Sequence, residues 1–380
     1  MKYKALFTAS TYSHIKHFHQ PYLRELQRMG WEVDIGCAGA PEQVPYTDKS
    51  FDLPFKKRMS SVHNLQALRM LRQIIYIRGY DLVVTHTSLA AFFTRLAIKG
   101  MRPRPKLVNV VHGYLFDDST PVMKRNLLLG AERLTAPETD FLLTMNQYDY
   151  EIARRYQLGK RVEMIPGMGV DFVKLDEDSK KDTGISRNTL GISENAFVLI
   201  CVAEFSRRKS QNVLIQAMNY LPEDTVLILC GSGTELGRCR ELVEGSKLER
   251  RVLFPGQVEN VATWYKTADI AVMASRSEGL PFNVMEAMYL GLPVVASRVK
   301  GHIDLVDDGV TGLLYSYGDA KACADAIRYL IKSPQICAQF GMKARIAVAQ
   351  YTLQAVLPNV LSQFGEALAP IAVNANSTSL

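Results

Sequence analysis

Short apolar runs alternate with longer amphipathic stretches along almost the whole chain. Lys4–Thr8, Glu32–Cys37, Leu82–Thr85, Leu107–Val111, Phe141–Thr144 and Val162–Ile165 have the length and residue content of strands. Segments near 18–29, 64–78, 88–99, 121–134 and 146–156 carry the wider spacing of helices. Strands alternating with helices of this length predict parallel βαβ units. Leu82-Val-Val and Leu107-Val-Asn-Val-Val are apolar on both faces, as in buried parallel strands. Pro166-Gly-Met-Gly-Val-Asp171 interrupts the series, and the polar stretch from Lys174 to Asn188 reads as a hinge and linker. A second series then predicts strands at Phe197–Val202, Val226–Cys230, Val252–Phe254, Ile270–Met273 and Val294–Ala296. The expected fold is α/β: two parallel-sheet domains over 1–168 and 169–351, with a helix at 352–368 after them. Ligands of such sheets bind beyond the carboxyl ends of the strands, and facing domains favour a cleft.

Composition narrows the class. A chain of 380 residues points to two cores, and 47% hydrophobic with 22% charged residues is ordinary for a globular protein. No apolar run approaches the roughly 18 residues that cross a bilayer. No signal-peptide pattern follows Met1, so a cytoplasmic protein is expected. The six cysteines contain no C-x-x-C pair and read as buried thiols of a reducing compartment, without structural zinc. The net charge of +7 is uneven: residues 1–168 hold 24 Lys and Arg against 15 Asp and Glu, and the remainder 21 against 23. A basic first half suits an anionic partner such as a membrane surface or a phosphorylated acceptor; a solvated basic face is the plain alternative. Nucleic acid is not expected, since no zinc-finger spacing, RNP-like motif or basic heptad is present.

The densest chemistry lies in Ser277-Glu278-Gly-Leu-Pro-Phe-Asn-Val-Met-Glu286, after the strand Ile270–Met273. A helix is expected to start near Asn283, with Gly279, Leu280 and Phe282 leading into it. Their backbone N–H groups and the helix N-terminus form an anion site that fits pyrophosphate. Glu286, one turn into the helix, can accept hydrogen bonds from ribose hydroxyls. Glu278 can hold sugar hydroxyls or orient the reacting centre.

These words resemble the donor-site signature, E-x7-E, of family-four retaining glycosyltransferases of the GT-B fold. Further segments agree in order: the hinge-like Ile165-Pro-Gly-Met-Gly-Val-Asp171, the turn Gly231-Ser-Gly233-Thr-Glu235, Phe254-Pro-Gly-Gln-Val258, and Asp307-Asp-Gly-Val-Thr-Gly-Leu-Leu314. Bacterial exopolysaccharide, capsule and O-antigen enzymes look nearest. The resemblance implies that Val258 brackets a nucleotide base through its backbone, and that Gly231 and Gly233 form the family's G-x-G-x-E turn. It implies that Lys209 meets the diphosphate. Glu204 stands where many members have arginine, so Arg207, or Arg208 beside it, is expected to supply the second cation. His112, after a buried strand, is expected to reach the donor sugar, and His86 has the same placement. His14, His17 and His19 fall in the first strand–helix loop, where the family contacts its acceptor. The metal reading of these histidines is set aside for want of an acidic or cysteine partner. Asp176-Glu-Asp178 fits a D-x-D metal motif but lies in the expected linker and is discounted.

The implied reaction moves a hexose or N-acetylhexosamine from a nucleotide sugar, UDP-linked as the leading reading, with retention and no cofactor or metal. The implied acceptor is a polyprenyl-diphosphate-linked glycan at the inner membrane face. In this fold the helix at 352–368 crosses back onto the first domain, so closure would be a hinge motion about 166–172. The rivals are a nucleotide-sugar epimerase and a non-catalytic sensor or scaffold.

Overall fold

The computed structural model describes residues 2–368, and the chain divides into two compact units, Met1–Met168 with Leu357–Leu380, and Gly169–Val356. The Asn-Ala-Asn-Ser-Thr-Ser tail lies outside the described residues.

The first unit is a seven-stranded parallel sheet. Its strands are β1 (Lys4–Thr11), β2 (Glu32–Ala38), β3 (Lys49–Asp52), β4 (Leu82–His86), β5 (Lys106–Val111), β6 (Phe141–Thr144) and β7 (Arg161–Met164), in the spatial order β3-β2-β1-β4-β5-β6-β7. β1 pairs β2 on one side and β4 on the other, with Leu6 opposite Asp34 and Val83. The strand order therefore reverses between β1 and β4, which is where open α/β sheets bind ligands. The central strands β1 and β4 are buried along most of their length, as their unbroken apolar runs require. Helices Val62–Arg78 and Ser88–Ile98 cover one face through Ala67, Leu71, Ile75, Phe93 and Ala97. The C-terminal helix Leu353–Leu368 also belongs to this core over its later turns. Phe364 is fully buried, edge-on to Phe7 at 6.1 Å between ring centres, and Arg161 pairs with Glu366 at 2.6 Å.

The second unit is a six-stranded parallel sheet of β8 (Phe197–Val202), β9 (Thr225–Cys230), β10 (Val252–Gly256), β11 (Ile270–Met273), β12 (Val294–Ser297) and β13 (Gly312–Tyr315), in the order β10-β9-β8-β11-β12-β13. Its reversal lies between β8 and β11, where Ile270 is opposite Leu199 and Ala271 opposite Ile200.

Three expectations need correcting. The stretch from Lys174 is no linker at its start: Phe172–Lys180 is a helix. Asp171 caps it by accepting from the Lys174 N–H at 3.0 Å, and Phe172 stacks on Tyr289 at 4.0 Å. Asp176 of the D-x-D sequence accepts from the Tyr289 hydroxyl at 2.6 Å, an internal tie of the second unit. The first loop is likewise helical, with Tyr12–Phe18 starting directly after β1 and Gln20–Arg28 following. Strands β3 and β13 fall outside the predicted runs.

Candidate active site

The reversal of the second sheet fixes two loops side by side. One follows β8 and carries Glu204, Arg207, Arg208 and Lys209. The other follows β11 and carries Glu278. They are joined by backbone, with the Arg276 N–H donating to the Arg208 carbonyl at 2.8 Å. Ser210, at φ +51, turns the chain sharply into the helix Gln211–Ala217.

Glu278 is the centre of this geometry. Its carboxylate is buried and meets two cations: Arg208 Nη1 at 2.6 Å from Oε2 and Lys209 Nζ at 2.8 Å from Oε1. Burial alone would raise its pKa; Lys209 and Arg208 outweigh that and hold it at about 2. The carboxylate is thus ionised at any working pH. Its main chain is fixed from below, where the Glu278 N–H donates to the Lys300 carbonyl at 3.3 Å. Gly301, at φ +83, packs so closely that a Cβ would lie 2.7 Å from the Glu278 Cβ. His302, buried in the same loop, anchors Nδ1 on the Ser297 carbonyl at 2.9 Å and is electrostatically coupled to Glu278. Sequence reasoning missed His302. Its position just past the end of β12, beside the loops already named, was the available signal.

The cation clamp differs from the pair drawn in sequence. Arg207 points outward, 88% exposed in its side chain, 3.5 Å from Glu235. Arg208 turns inward instead. It spans Glu278 and Glu204, with Nη2 3.1 Å from Glu204 Oε1. The acidic residue at the family's arginine position therefore orients the neighbouring arginine four residues on. Lys209 is the more buried cation, 11% exposed.

The helix Phe282–Tyr289 starts one residue earlier than expected, so Phe282 is its first residue and Gly279 and Leu280 precede it. The Asn283 side-chain amide donates to the Val202 carbonyl at 2.9 Å, tying the helix start to the end of β8. Glu286, on the second turn, is pushed up to about 7 by burial.

The turn after β9 packs against the β8 loop where only glycine leaves room. A Cβ on Gly231 would sit 2.1 Å from the Ala203 carbonyl, and one on Gly233 would sit 2.3 Å from that of Phe205. Both have φ near the edge of the region only glycine enters readily, +139 and +149. The Phe205 N–H donates to the Ser232 carbonyl at 2.8 Å, locking the two loops together. Val258 follows β10 and is partly exposed, beside Gln257, whose amide oxygen accepts from Ser232 Oγ at 3.2 Å. Gly231, Gly233, Val258, Lys209, Glu278 and the helix bearing Glu286 are thus all at the carboxyl edge of one sheet.

In the first unit, four expected histidines come together at the corresponding edge. His14 lies on the first short helix and His19 at its end, His86 is the last residue of β4, and His112 follows β5. His17 is turned away, exposed, with Nδ1 donating to the Ser13 carbonyl at 2.7 Å.

Residues 22–171 match the model of "Glycosyltransferase Family 4" and residues 182–347 that of "Glycosyl transferases group 1". EpsD of Bacillus subtilis (strain 168), provisionally designated a glycosyltransferase, is 31% identical over 357 residues, 93% of each chain. The UDP-Gal:alpha-D-GlcNAc-diphosphoundecaprenol alpha-1,3-galactosyltransferase of Escherichia coli is 25% identical over 84% of this chain and 88% of its own. Alr3699/HepE of Anabaena, solved in complex with UDP and glucose, superposes with a TM-score of 0.77 at 20% identity, covering 96% of this chain and 100% of that one, which shows the GT-B fold. The expected fold and family hold, and the chain belongs to glycosyltransferase family 4, enzymes that transfer a sugar from a nucleotide sugar with retention.

Proposed function

We propose that the donor is a UDP-linked hexose or N-acetylhexosamine held at the carboxyl edge of the second sheet. The observation that carries this is the convergence of Arg208 and Lys209 on buried Glu278 at the sheet's reversal point. The helix Phe282–Tyr289 begins four residues beyond Glu278, so its N-terminal dipole adds positive potential near the same cations. In this reading Glu286 accepts hydrogen bonds from the ribose hydroxyls, and the backbone at Val258 brackets the base. Lys209, Arg208 and the N–H groups near Gly279, Leu280 and Phe282 meet the charge that grows on the departing diphosphate. The acceptor hydroxyl attacks from the leaving-group side, and a donor phosphate oxygen takes its proton. A screen of nucleotide sugars for release of nucleoside diphosphate tests this. UDP-sugars should be consumed, and mass spectrometry of lipid-linked products identifies the acceptor. Turnover with GDP- or ADP-sugars alone would reverse the donor assignment.

The proposed acceptor is a glycan on a polyprenyl diphosphate at the inner membrane face. The helix Val122–Thr135 supports a membrane-facing first unit. It leaves Val122, Met123, Leu127 and Leu134 exposed, Met123 at 88%, with Lys124 and Arg133 among them. Met123, Leu127 and Leu134 are spaced four and seven residues apart, on one side of the helix. An apolar stripe flanked by cations suits anionic lipid. None of the described helices is long and apolar enough to cross a membrane, so the attachment proposed is peripheral. Anionic liposomes should carry the protein in flotation and neutral ones should not. Met123→Glu should weaken that binding about tenfold or more, the burial energy of one large apolar side chain being about 1.5–3 kcal/mol. Equal flotation of both proteins would separate the helix from membrane binding.

A further inference from the structure

The four histidines at the edge of the first sheet pose a physical problem. His19 and His86 are completely buried, and His14 and His112 are partly so. Both ring nitrogens of His19, Nε2 of His86 and Nε2 of His14 are buried without a hydrogen-bond partner. An unsatisfied buried polar atom costs about 1–3 kcal/mol. Four such atoms within one cluster call for a partner that bonds to several of them together. A metal cation can take one lone pair from each of several imidazoles gathered this closely.

The spacing agrees. One ligating nitrogen from each of His14, His19, His86 and His112 can be chosen so that all lie within 4.8 Å of one another. His86 Nδ1 and His112 Nε2 are 3.2 Å apart and hydrogen-bonded to each other, a contact that a metal bound to both would replace. Tetrahedral zinc with bonds of about 2.0–2.1 Å sets its ligand nitrogens roughly 3.3 Å apart. Ring centres of His14 and His112, His14 and His19, His86 and His112, and His19 and His112 lie 4.6, 5.2, 5.4 and 5.5 Å apart. His19 and His86 are closer, at 3.7 Å, and would splay as a metal entered between them.

We propose that His14, His19, His86 and His112 bind one zinc ion, or a similar imidazole-seeking transition metal, at the reversal point of the first sheet. The ion would take one nitrogen from each ring, relieving at most three of the four orphaned atoms, and would cross-link the first helix to the ends of β4 and β5. All-imidazole ligation selects zinc, cobalt, nickel or copper over magnesium and calcium, which require oxygen. A fully protein-ligated site would serve structure and would hold His112 away from a role on the sugar. In sequence, the three histidines of the first loop have no acidic or cysteine partner spaced with them. The structure replaces His17 with His86 and His112, from two strands about 70 to 100 residues away in sequence.

The test uses the full chain without a histidine tag, stripped with chelator and titrated with cobalt(II) and zinc. The expected result is one ion per chain, a tetrahedral cobalt spectrum displaced by zinc, a higher melting temperature with zinc, and no effect of magnesium. The double variant His14→Ala, His112→Ala removes the two partly exposed ligands and spares the buried pair. It should lose the cobalt spectrum and weaken zinc binding more than about 100-fold, since loss of a single outer-shell partner already costs roughly 10- to 100-fold. His63→Ala, an exposed histidine elsewhere, should leave the titration unchanged. An octahedral cobalt spectrum, zinc binding that survives the double variant, or no binding overturns the site. None of these outcomes touches the donor reading, whose residues all lie in the second unit.

Discussion

Lys209→Ala is expected to lower turnover about 100- to 1,000-fold, the usual cost of removing one preorganised partner of transition-state charge. UDP affinity should fall by no more than about tenfold, because the charge that Lys209 is proposed to meet is largest as the sugar–phosphate bond breaks. Lys209 Nζ is 2.8 Å from Glu278 and largely buried, so its removal also leaves that carboxylate with Arg208 as its remaining close cation. The Glu278 pKa then moves up from about 2, since burial is no longer countered by both charges. Lys209→Arg keeps the charge in a longer, flatter group and should recover part of the lost turnover. Steady-state kinetics with calorimetric UDP binding separates the effects. Equal losses in affinity and turnover would mean that Lys209 holds the ground state alone.

How the sequence led to this residue, and where it misled, has a local explanation. The central strands β8 and β11 are short, unbroken apolar runs, and their bounds match the pattern. Strand β3 is Lys-Ser-Phe-Asp at a sheet edge, held by backbone pairing to β2, and offers no apolar signal. Strand β13 begins at Gly312, whose missing Cβ lets the Val294 carbonyl approach; the glycines around it read as a turn. Arg207 and Arg208 are adjacent and chemically identical. Which one faces Glu278 is decided by the loop's backbone, pinned at the Arg208 carbonyl and twisted at Ser210, and no spacing rule reports that. Asn283 illustrates the reverse case. Its amide nitrogen, in a ligand-like position, donates to the Val202 carbonyl, a contact between residues 81 apart in sequence. The histidine tetrad likewise joins the local pair His14 and His19 to His86 and His112, both distant in sequence. A close reading of consecutive residues sees chemistry type well and pairing poorly.

Glu286→Gln should produce two opposite effects that share one cause. Burial raises the Glu286 carboxyl from 4.5 to about 7, so the native chain retains a proton there that the unfolded chain has released. A raised native pKa contributes stability that is complete below about 4.5 and is lost as pH rises through about 7. At pH 8 the native state carries the cost of an ionised, poorly solvated carboxylate. Glutamine removes that cost, so the donor-free variant should melt higher than wild type at pH 8 and equally at pH 4, at about 2–4 °C per kcal/mol for a domain of this size. Donor binding runs the other way. A carboxylate accepts from both ribose hydroxyls with charge assistance, whereas the amide offers one acceptor oxygen and no charge. UDP affinity should drop by about 1.5–3 kcal/mol, on the order of 10- to 150-fold. Wild-type affinity should itself rise as pH passes upward through about 7, because binding needs the ionised form, and the glutamine variant should lose that rise. Melting curves and UDP calorimetry at several pH values read both effects on the same protein. A variant that binds UDP like wild type at pH 8 would break the link between this carboxylate and the ribose, whatever its melting temperature does.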